Sequence, residues 1–534
     1  MSVVDAVVIG AGHNGLVAAN LLADRGWDVL VLEEAAEPGG AVRSGELVEP
    51  GFTNDLFSGF YPFTVASPHI RRLDLERWGL RWLASAVAVA HPGPDGSCSA
   101  IALDIDETAA SLDEFAPGDG DKWRRLYALW ERVRAGALGA FFSPFPPVRP
   151  VLRLLRELGP DELLRFARFA LLPVRRLGEE HFAGAGGPRL LAGNALHADV
   201  SPEMPLSGVF GWILCSLGQQ HGFPVPEGGA GQITAALVRR LETTGGRVVC
   251  GERVETVECR AGRAVAARTA AARYEARRAI IADVGPRQLY RELLGGEALP
   301  RRLLEEVDRF QYDNGTVKLD WTLDGAIPWR AERARAAGTV HVADGMDALT
   351  VQAAELARDL IPATPYLVTG QYAHFDASRA PPGKDTAWAY THVPQEVAGD
   401  AGGELSGSWD ERETAIFADR MEEQIEALAP GFRSLIRGRH VFTPRTFERA
   451  NRNLVGGAVN GGTAQIQQQM VFRPLPSLGR PETLVEGLFL GSSSAHPGGG
   501  VHGGPGANAA AAAVAAARPV RGGPAARLSR ALQR

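Results

Sequence analysis

The sequence predicts an α/β protein in which one sheet-based domain is interrupted by a second, discontinuous domain of mixed sheet and helix. Three stretches carry that expectation. Residues 4–33, VDAVVIGAGHNGLVAANLLADRGWDVLVLE, read as a buried apolar strand, a glycine turn, a small-residue helix closed at Gly26 and a second apolar strand. Residues 226–284 return to the same vocabulary of glycine turn, helix and alternating strands, and the segment from Gly487 adds another apolar strand, a glycine-dense loop and an alanine helix. A chain of 534 residues is too long for one ordinary core, so two domains built from these pieces are the natural arrangement.

Taken in order, residues 1–70 hold the first βαβ unit. Residues 71–215 shift to arginine-rich amphipathic segments such as VLRLLRELGPDELLRFARFALLPVRRL, broken by SPFPPVRP, and read as a helical first part of the substrate domain. Residues 216–300 resume the sheet domain with PEGGAGQITAALVRRLETTGGRVVC, RVETVEC, a turn at Gly262 and RRAIIADV. Residues 301–480 mix strand-like TVKLDWTL and YLVTGQY with a helix at RETAIFADRMEEQIEAL, giving the second part of the substrate domain. Residues 481–518 close the sheet domain, and 519–534 read as a flexible basic tail.

Composition excludes several classes. A hydrophobic fraction of 45%, a charged fraction of 22% and a net charge of -6 are those of a globular protein, and no basic stripe interleaved with aromatics marks a nucleic-acid groove. Cys98, Cys215, Cys250 and Cys259 are scattered with no C-x-x-C pair, so neither a zinc cage nor a redox disulfide is expected, and no metal site is assigned. The N-terminus enters a strand at once, without a cationic leader, and no segment has membrane-spanning length; a cytoplasmic protein is the expectation. Arginines 149, 153, 156, 165, 168, 175 and 176 alternate with leucine and phenylalanine. That face suits either a membrane surface or, the reading favoured because Pro160, Asp161 and Glu162 break it, solvent over a domain core.

The chemistry begins at Gly10, Gly12 and Gly15, a G-x-G-x-x-G between strand and helix. The first glycine permits the tight turn, the second lets a pyrophosphate approach the backbone and the third lets helix and strand pack closely. The helix N-terminus, with His13 and Asn14 in its first turn, offers free N–H groups to an anion. Glu33 ends the second strand where a carboxylate would accept from ribose hydroxyls, with Glu34 beside it. The same pattern serves NAD or FAD. The continuation Glu37, Pro38, Gly39, Gly40, Ala41, Val42, Arg43 resembles that of flavoproteins of the amine-oxidase and phytoene-desaturase type, and GLFLGSSSAHPGGGVHGGPGANAAAAA resembles the closing motif of phytoene desaturases and their relatives.

That resemblance, which runs through FTNDLFSGFYP, PEGGAGQ, AIIADVGP and NLVGGAVNGGTAQIQQQMVFRPLP, implies FAD held jointly by the two ends of the chain, with residues 1–70, 216–300 and 481–518 as the three parts of the FAD-binding domain. Paired glycines 39 and 40 would pass close to the dinucleotide and Arg43 would neutralise its charge. Val254 falls where the family contacts adenine through backbone, and Asp283 and Pro286 match its A-D-x-x-P return strand. Gly491 would end a strand beside the pyrophosphate or ribityl chain, and Gly500 and Val501 would sit against the ring, where a helix starts near Val501 and His502. For catalysis the resemblance offers Lys318, which reaches flavin N5 through water or else faces solvent from a strand. His496 and His502 would move protons or brace the turn, and Asp55 would act as a base or, more in keeping with its context, cap a turn. Gln465, Gln467, Gln468, Gln469 and Phe472 are wall candidates by their place before the closing motif.

The function implied is a flavin dehydrogenase or desaturase taking a hydride from a largely apolar, carotenoid- or isoprenoid-like substrate, with oxygen, a quinone or another carrier as acceptor. The alternatives are a flavin amine oxidase, against which no Tyr or Trp follows Trp409 to build an aromatic cage, and a non-catalytic lipid or prenyl carrier of the GDP-dissociation-inhibitor kind.

Overall fold

The structure is a computed structural model that describes residues 2–296, 299–476 and 479–518; the tail at 519–534 lies outside the described residues. The chain opens with β1 (Ser2–Ile9), α1 (His13–Ala23) and β2 (Val29–Leu32). It then leaves for β3 (Val87–Pro92), β4 (Cys98–Ala102), α2 (Asp119–Phe142), α3 (Val148–Leu171), α4 (Gly186–Leu196) and α5 (Ser207–His221). It returns through α6 (Gly231–Thr243), β5 (Arg247–Val249), β6 (Val254–Arg260), β7 (Arg263–Thr269) and β8 (Arg273–Ala282). A second departure supplies β9 (Gly315–Leu323), β10 (Ala337–Val342), β11 (Leu367–Gln371), β12 (Asp385–Val393), α7 (Glu411–Leu428) and β13 (Ile436–Phe442), before β14 (Leu488–Leu490) and α8 (Gly504–Ala516).

Two seven-stranded sheets result. The first runs β6-β7-β8-β1-β2-β5, with β14 added along the end of β8; β1 pairs in parallel with both β8 and β2, and Ile280–Ala282 of β8 pair in parallel with Leu488–Leu490. Where both faces are covered, at Ala6–Ile9 of β1, along β2 and at Ala279–Ala282 of β8, the central strands are apolar at every position. Ala6 and Val8 pack with Leu16, Leu237 and Ala509 of α1, α6 and α8, while Val7 and Ile9 join Leu289, Val307 and Phe310 on the other side.

The second sheet runs β13-β9-β12-β11-β10-β3-β4. On β9 the pattern alternates: Val317, Leu319, Trp321 and Leu323 pack against Phe417, Met421 and Ile425 of α7, leaving Thr316, Lys318 and Asp320 for the opposite face. Over that face lie α2, α4 and α5, joined by Trp123, Trp130 and Trp212 to Val89, Ile101 and Val368.

The stretch 71–215 is therefore not wholly helical. VAVAHP and CSAIA form a buried antiparallel hairpin that completes the second sheet. Both faces of this hairpin are covered, so the polar alternation that would have announced a half-buried strand is missing. Among the described residues no helix is long and apolar enough to cross a membrane.

Candidate active site

Bare backbone brings the two ends of the chain together. Gly10 has φ +95°, and a Cβ on Gly15 would lie 2.1 Å from the Gly10 carbonyl oxygen. A Cβ on Gly506, in the first turn of α8, would lie 2.0 Å from the Asn14 carbonyl oxygen, and one on Gly503 2.7 Å from Val17. No side chain larger than hydrogen fits these places, so the first turns of α1 and α8 pack backbone against backbone, and the start of α1 lines the space beside them. Asn14 Nδ2 donates to Ser493 Oγ at 3.2 Å, and Ser67 Oγ donates to the His502 carbonyl at 2.7 Å, tying the loop before α8 to the first βαβ region.

A cavity of about 370 Å³ starts at that junction and continues to the polar face of the second sheet. Gly10, Gly12, His13, Asn14, Glu33, Glu34, Gly40, Arg43, Val254, Gly500 and Val501, all expected from the sequence, line it. Glu33 accepts from Ala11 N at 2.7 Å and Ala35 N at 2.9 Å, which fixes its carboxylate at the mouth of the glycine turn. The Arg43 guanidinium is held by the carbonyls of Gly40 and Ala450. Gly39 lies behind the wall, its N–H bonded to the Ala11 carbonyl at 2.9 Å, and so fastens the paired-glycine loop to the turn.

Other expected residues stand elsewhere. Gly491 does not line the cavity; its N–H bonds to the Ala282 carbonyl at 2.9 Å, and Ser492, Ser493 and Ser494 occupy the wall beyond it. Both ring nitrogens of His502 are used locally, Nε2 with the Gly499 carbonyl and Nδ1 accepting from Gly504 N, so the ring caps α8, which starts at Gly504. Burial pushes His502 down to about 3, followed in effect by His13. His496 donates to the Ser143 carbonyl and also stands behind the wall. Of the glutamines, Gln469 reaches the cavity; Gln468 bonds the backbone of Gln311, and Phe472 is 44% exposed. Asp55 is a structural cap: Oδ1 accepts from Ala230 N at 2.7 Å and Ser44 Oγ at 2.7 Å, and Oδ2 pairs with Arg379 at 3.0 Å.

Lys318 lines the cavity yet is buried, its ammonium bound by the Asp320 carboxylate and by the Asp55 carbonyl at 2.9 Å. The solvent-facing alternative is thereby excluded. Burial pushes Asp320 up to about 6 against the pull of Lys318. Asp283 meets the glycine turn directly: Oδ2 accepts from Gly15 N at 2.9 Å, and a Cβ on Gly12 would come within 2.7 Å of it. Burial, with the nearby Glu33 charge, pushes its carboxyl up to about 7, so near neutral pH about half of it carries a proton, which weakens its repulsion of an anion at the helix N-terminus.

The far end of the cavity was not legible beforehand. Phe60, Phe63, Phe141 and Phe210 line it together with Trp388 and Tyr390, stacked at 6.0 Å on β12. Gly59 makes room, since a Cβ there would lie 2.4 Å from the Trp388 ring. The one sequence signal was the aromatic cluster FSGFYPF; nothing marked β12 as its partner. Close by, α3 exposes Val148, Val151, Leu152, Leu155, Leu164 and Leu171 to solvent. The arginine-rich segment is thus not a purely polar surface, and its two halves turn at Gly159, φ 75°.

The residues fit a dinucleotide. The glycine cradle would be filled by any Cβ, the N-terminus of α1 opens onto it, and Asn14 Oδ1 and His13 Nε2, on wall residues, have no hydrogen-bond partner among the described residues. Among the described residues there is no cluster of His, Cys, Asp or Glu suited to a metal. Fold and cavity therefore define a two-sheet α/β architecture with a dinucleotide-binding cradle opening into a larger chamber.

Comparison with known proteins agrees. The family model of a NAD(P)-binding Rossmann-like domain matches residues 8–73. Pyridine nucleotide-disulfide oxidoreductase domain-containing protein 2 of Rattus norvegicus is 27% identical over 95% of this chain and 92% of its own length. A lycopene-forming phytoene desaturase of Pseudescherichia vulneris is 26% identical over 95% of this chain and 98% of its own. Putrescine oxidase bound to putrescine shares the fold, with TM-score 0.59 at 15% identity across 96% of this chain and 98% of that one. Across nearly its whole length the chain is thus similar to a phytoene desaturase and to a related oxidoreductase-domain protein, and it shares its fold with an amine oxidase.

Proposed function

We propose that the protein is a dehydrogenase or desaturase that oxidises a largely apolar, isoprenoid-like substrate. The observation that carries this reading is the aromatic chamber joined directly to the dinucleotide cradle, in which the wall cation Lys318 is already neutralised by Asp320. Such a chamber rewards burial of hydrocarbon, about 25 cal/mol for each Å² removed from water. Bound FAD would supply a two-electron acceptor at N5. The chain's part is to hold and orient: Glu33 accepts from ribose hydroxyls, the amides at the start of α1 and Arg43 take the phosphates, the loop at Gly499–Val501 borders the rest of the cofactor, and the backbone beside Val254 borders adenine. Phe60, Trp388 and Tyr390 exclude water and fix the substrate within reach of the cradle. A small-molecule acceptor, oxygen or a quinone, would complete the cycle.

The stacked Trp388 and Tyr390 also give specific support to a second reading, an amine oxidase, because they provide from β12 the aromatic surface that the C-terminal region lacks. The purified protein is expected to carry a visible flavin spectrum; a colourless protein that cannot be reconstituted with FAD would indicate a carrier. Anaerobic mixing with phytoene is expected to bleach the flavin faster than mixing with putrescine. Bleaching by putrescine alone would replace the first reading with the second.

A further inference from the structure

The polar face of the second sheet carries more than Lys318. Register pairs Lys318 of β9 with Tyr390 of β12, Tyr390 with Val368 of β11, Val368 with His341 of β10, and Val340 with Ala90 of β3, which sets His341 beside His91. One row of side chains therefore crosses five strands on the face towards the cavity. His197, following the last turn of α4, stands over the middle of the row and lines the cavity. Its Nε2 lies 2.7 Å from Nε2 of His341.

That contact is a hydrogen bond only if one of the two nitrogens carries the proton. Among the described residues, Nδ1 has no partner on either ring. In a neutral pair one of those Nδ1 atoms is then a bare acceptor and the other an unbonded N–H, each buried at a cost of ~1–3 kcal/mol. A purely structural pair would be expected to satisfy them. The arrangement is also built deliberately into the backbone, since a Cβ on Gly193 would lie 2.2 Å from His341 Nδ1. Beyond His341, the His91 ring stands 5.8 Å away, and its Nε2 donates to the Ala343 carbonyl. Ala343 leads into a surface cleft lined by Arg189, Asp344 and Asp347.

We propose that His197 accepts the proton released by a substrate in the aromatic chamber, and that His341 and His91 conduct it across the sheet to the cleft beside Arg189 and Asp344. This rests on the dehydrogenase reading above. Two adjacent C–H bonds are lost in forming a double bond. The electron pair of one leaves with its hydrogen as hydride to the oxidised flavin; the pair of the other becomes the new C=C bond, and its proton goes to His197 Nδ1. The substrate is oxidised by two electrons and the flavin reduced by two. His197 passes its Nε2 proton to His341, and the step to His91 spans a gap that one water or a ring rotation bridges. Burial, reinforced by His392, pushes His197 down to about 3, and burial with His197 and His91 pushes His341 well below its usual range. Both rings are thus neutral acceptors. A weak base is enough, because loss of hydride makes the neighbouring C–H strongly acidic. The groups facing the pair are His392 and Tyr390 on β12, His91 on β3 and Tyr366.

The test uses the FAD-loaded protein, selectively ¹⁵N-labelled at histidine. One ring proton coupled to nitrogens of both His197 and His341 is expected, lost in His341→Gln, and its exchange with water should slow at least tenfold in His91→Gln while the flavin spectrum stays unchanged. Anaerobic bleaching by phytoene should slow at least tenfold in His341→Gln and His197→Gln, and added imidazole should restore rate to His197→Gly. If His341→Gln loses flavin, the His91→Gln exchange rate decides by itself. Normal phytoene bleaching in both glutamine variants, or exchange unaffected by His91→Gln, overturns the relay and leaves the dehydrogenase reading intact. If phytoene fails to bleach the wild type, that reading fails, and the exchange measurement alone supports or overturns proton conduction.

Discussion

The two ends of the cavity are made of different material. The dinucleotide end consists of backbone held at close quarters by Gly10, Gly15 and Gly506, with Glu33 as its main polar side chain, whereas the substrate end consists of large side chains drawn from β9, β12, α5 and the loop at residues 57–64. Backbone recognition tolerates no added atom at its contact points but is indifferent to most of the sequence around them. Side-chain walls tolerate substitution one at a time and set selectivity. The first end should therefore break abruptly and the second degrade gradually.

The sharpest break is expected at Gly506→Ala. With a Cβ 2.0 Å from the Asn14 carbonyl, the two helix starts must separate, and flavin content of the purified protein should fall more than 100-fold. A variant that keeps stoichiometric flavin would show that the two ends are not jointly required. Lys318→Met follows. It leaves Asp320 buried without its partner, a loss of ~3–5 kcal/mol in denaturant unfolding. Adding Asp320→Leu should recover most of that stability but not turnover, separating the structural part of Lys318 from its place in the chamber.

Glu33→Gln should weaken FAD binding by ~1 kcal/mol per ribose bond in a titration of the apoprotein, since charge-assisted bonds are replaced by neutral ones. Asp283 gives a pH signature. Its folded carboxyl is raised to about 7 from an ordinary value near 4, so the folded state binds the extra proton. Its contribution is complete below about pH 4 and is lost as pH rises through 7. Asp283→Asn should flatten the fall in stability between those limits, with the variant gaining on the wild type most at pH 8. The smallest effect is expected at Phe210→Ala, which should raise KM for an apolar substrate several-fold while leaving flavin content unchanged. Loss of flavin there would erase the distinction between the two ends.

The same contrast explains what could be read early. G-x-G-x-x-G, Glu33, the paired glycines and the closing loop lie in short segments whose local conformation is dictated by residue type, and most of them reached the cavity wall. Gly39 and Gly491 missed it by one layer, because a glycine that permits close approach packs backbone on backbone and its neighbour meets the space. His496 and His502 lie in the loop the sequence pointed to, but side-chain direction depends on a partner 353 residues away or on the cap of α8. The hairpin of β3 and β4 was hidden because complete burial removes the period-two signal.

By itself the sequence determined the βαβ unit, the return of the chain to it and the glycine surfaces at both ends, since these follow from local backbone freedom and hydrophobic pattern. Only the tertiary structure decided that Lys318 is neutralised, that Trp388 and Tyr390 face Phe60, and that His197, His341 and His91 stand in one line. Those relations join residues from separate strands and helices, and sheet register and helix packing, which fix them, are long-range properties that no window of sequence contains.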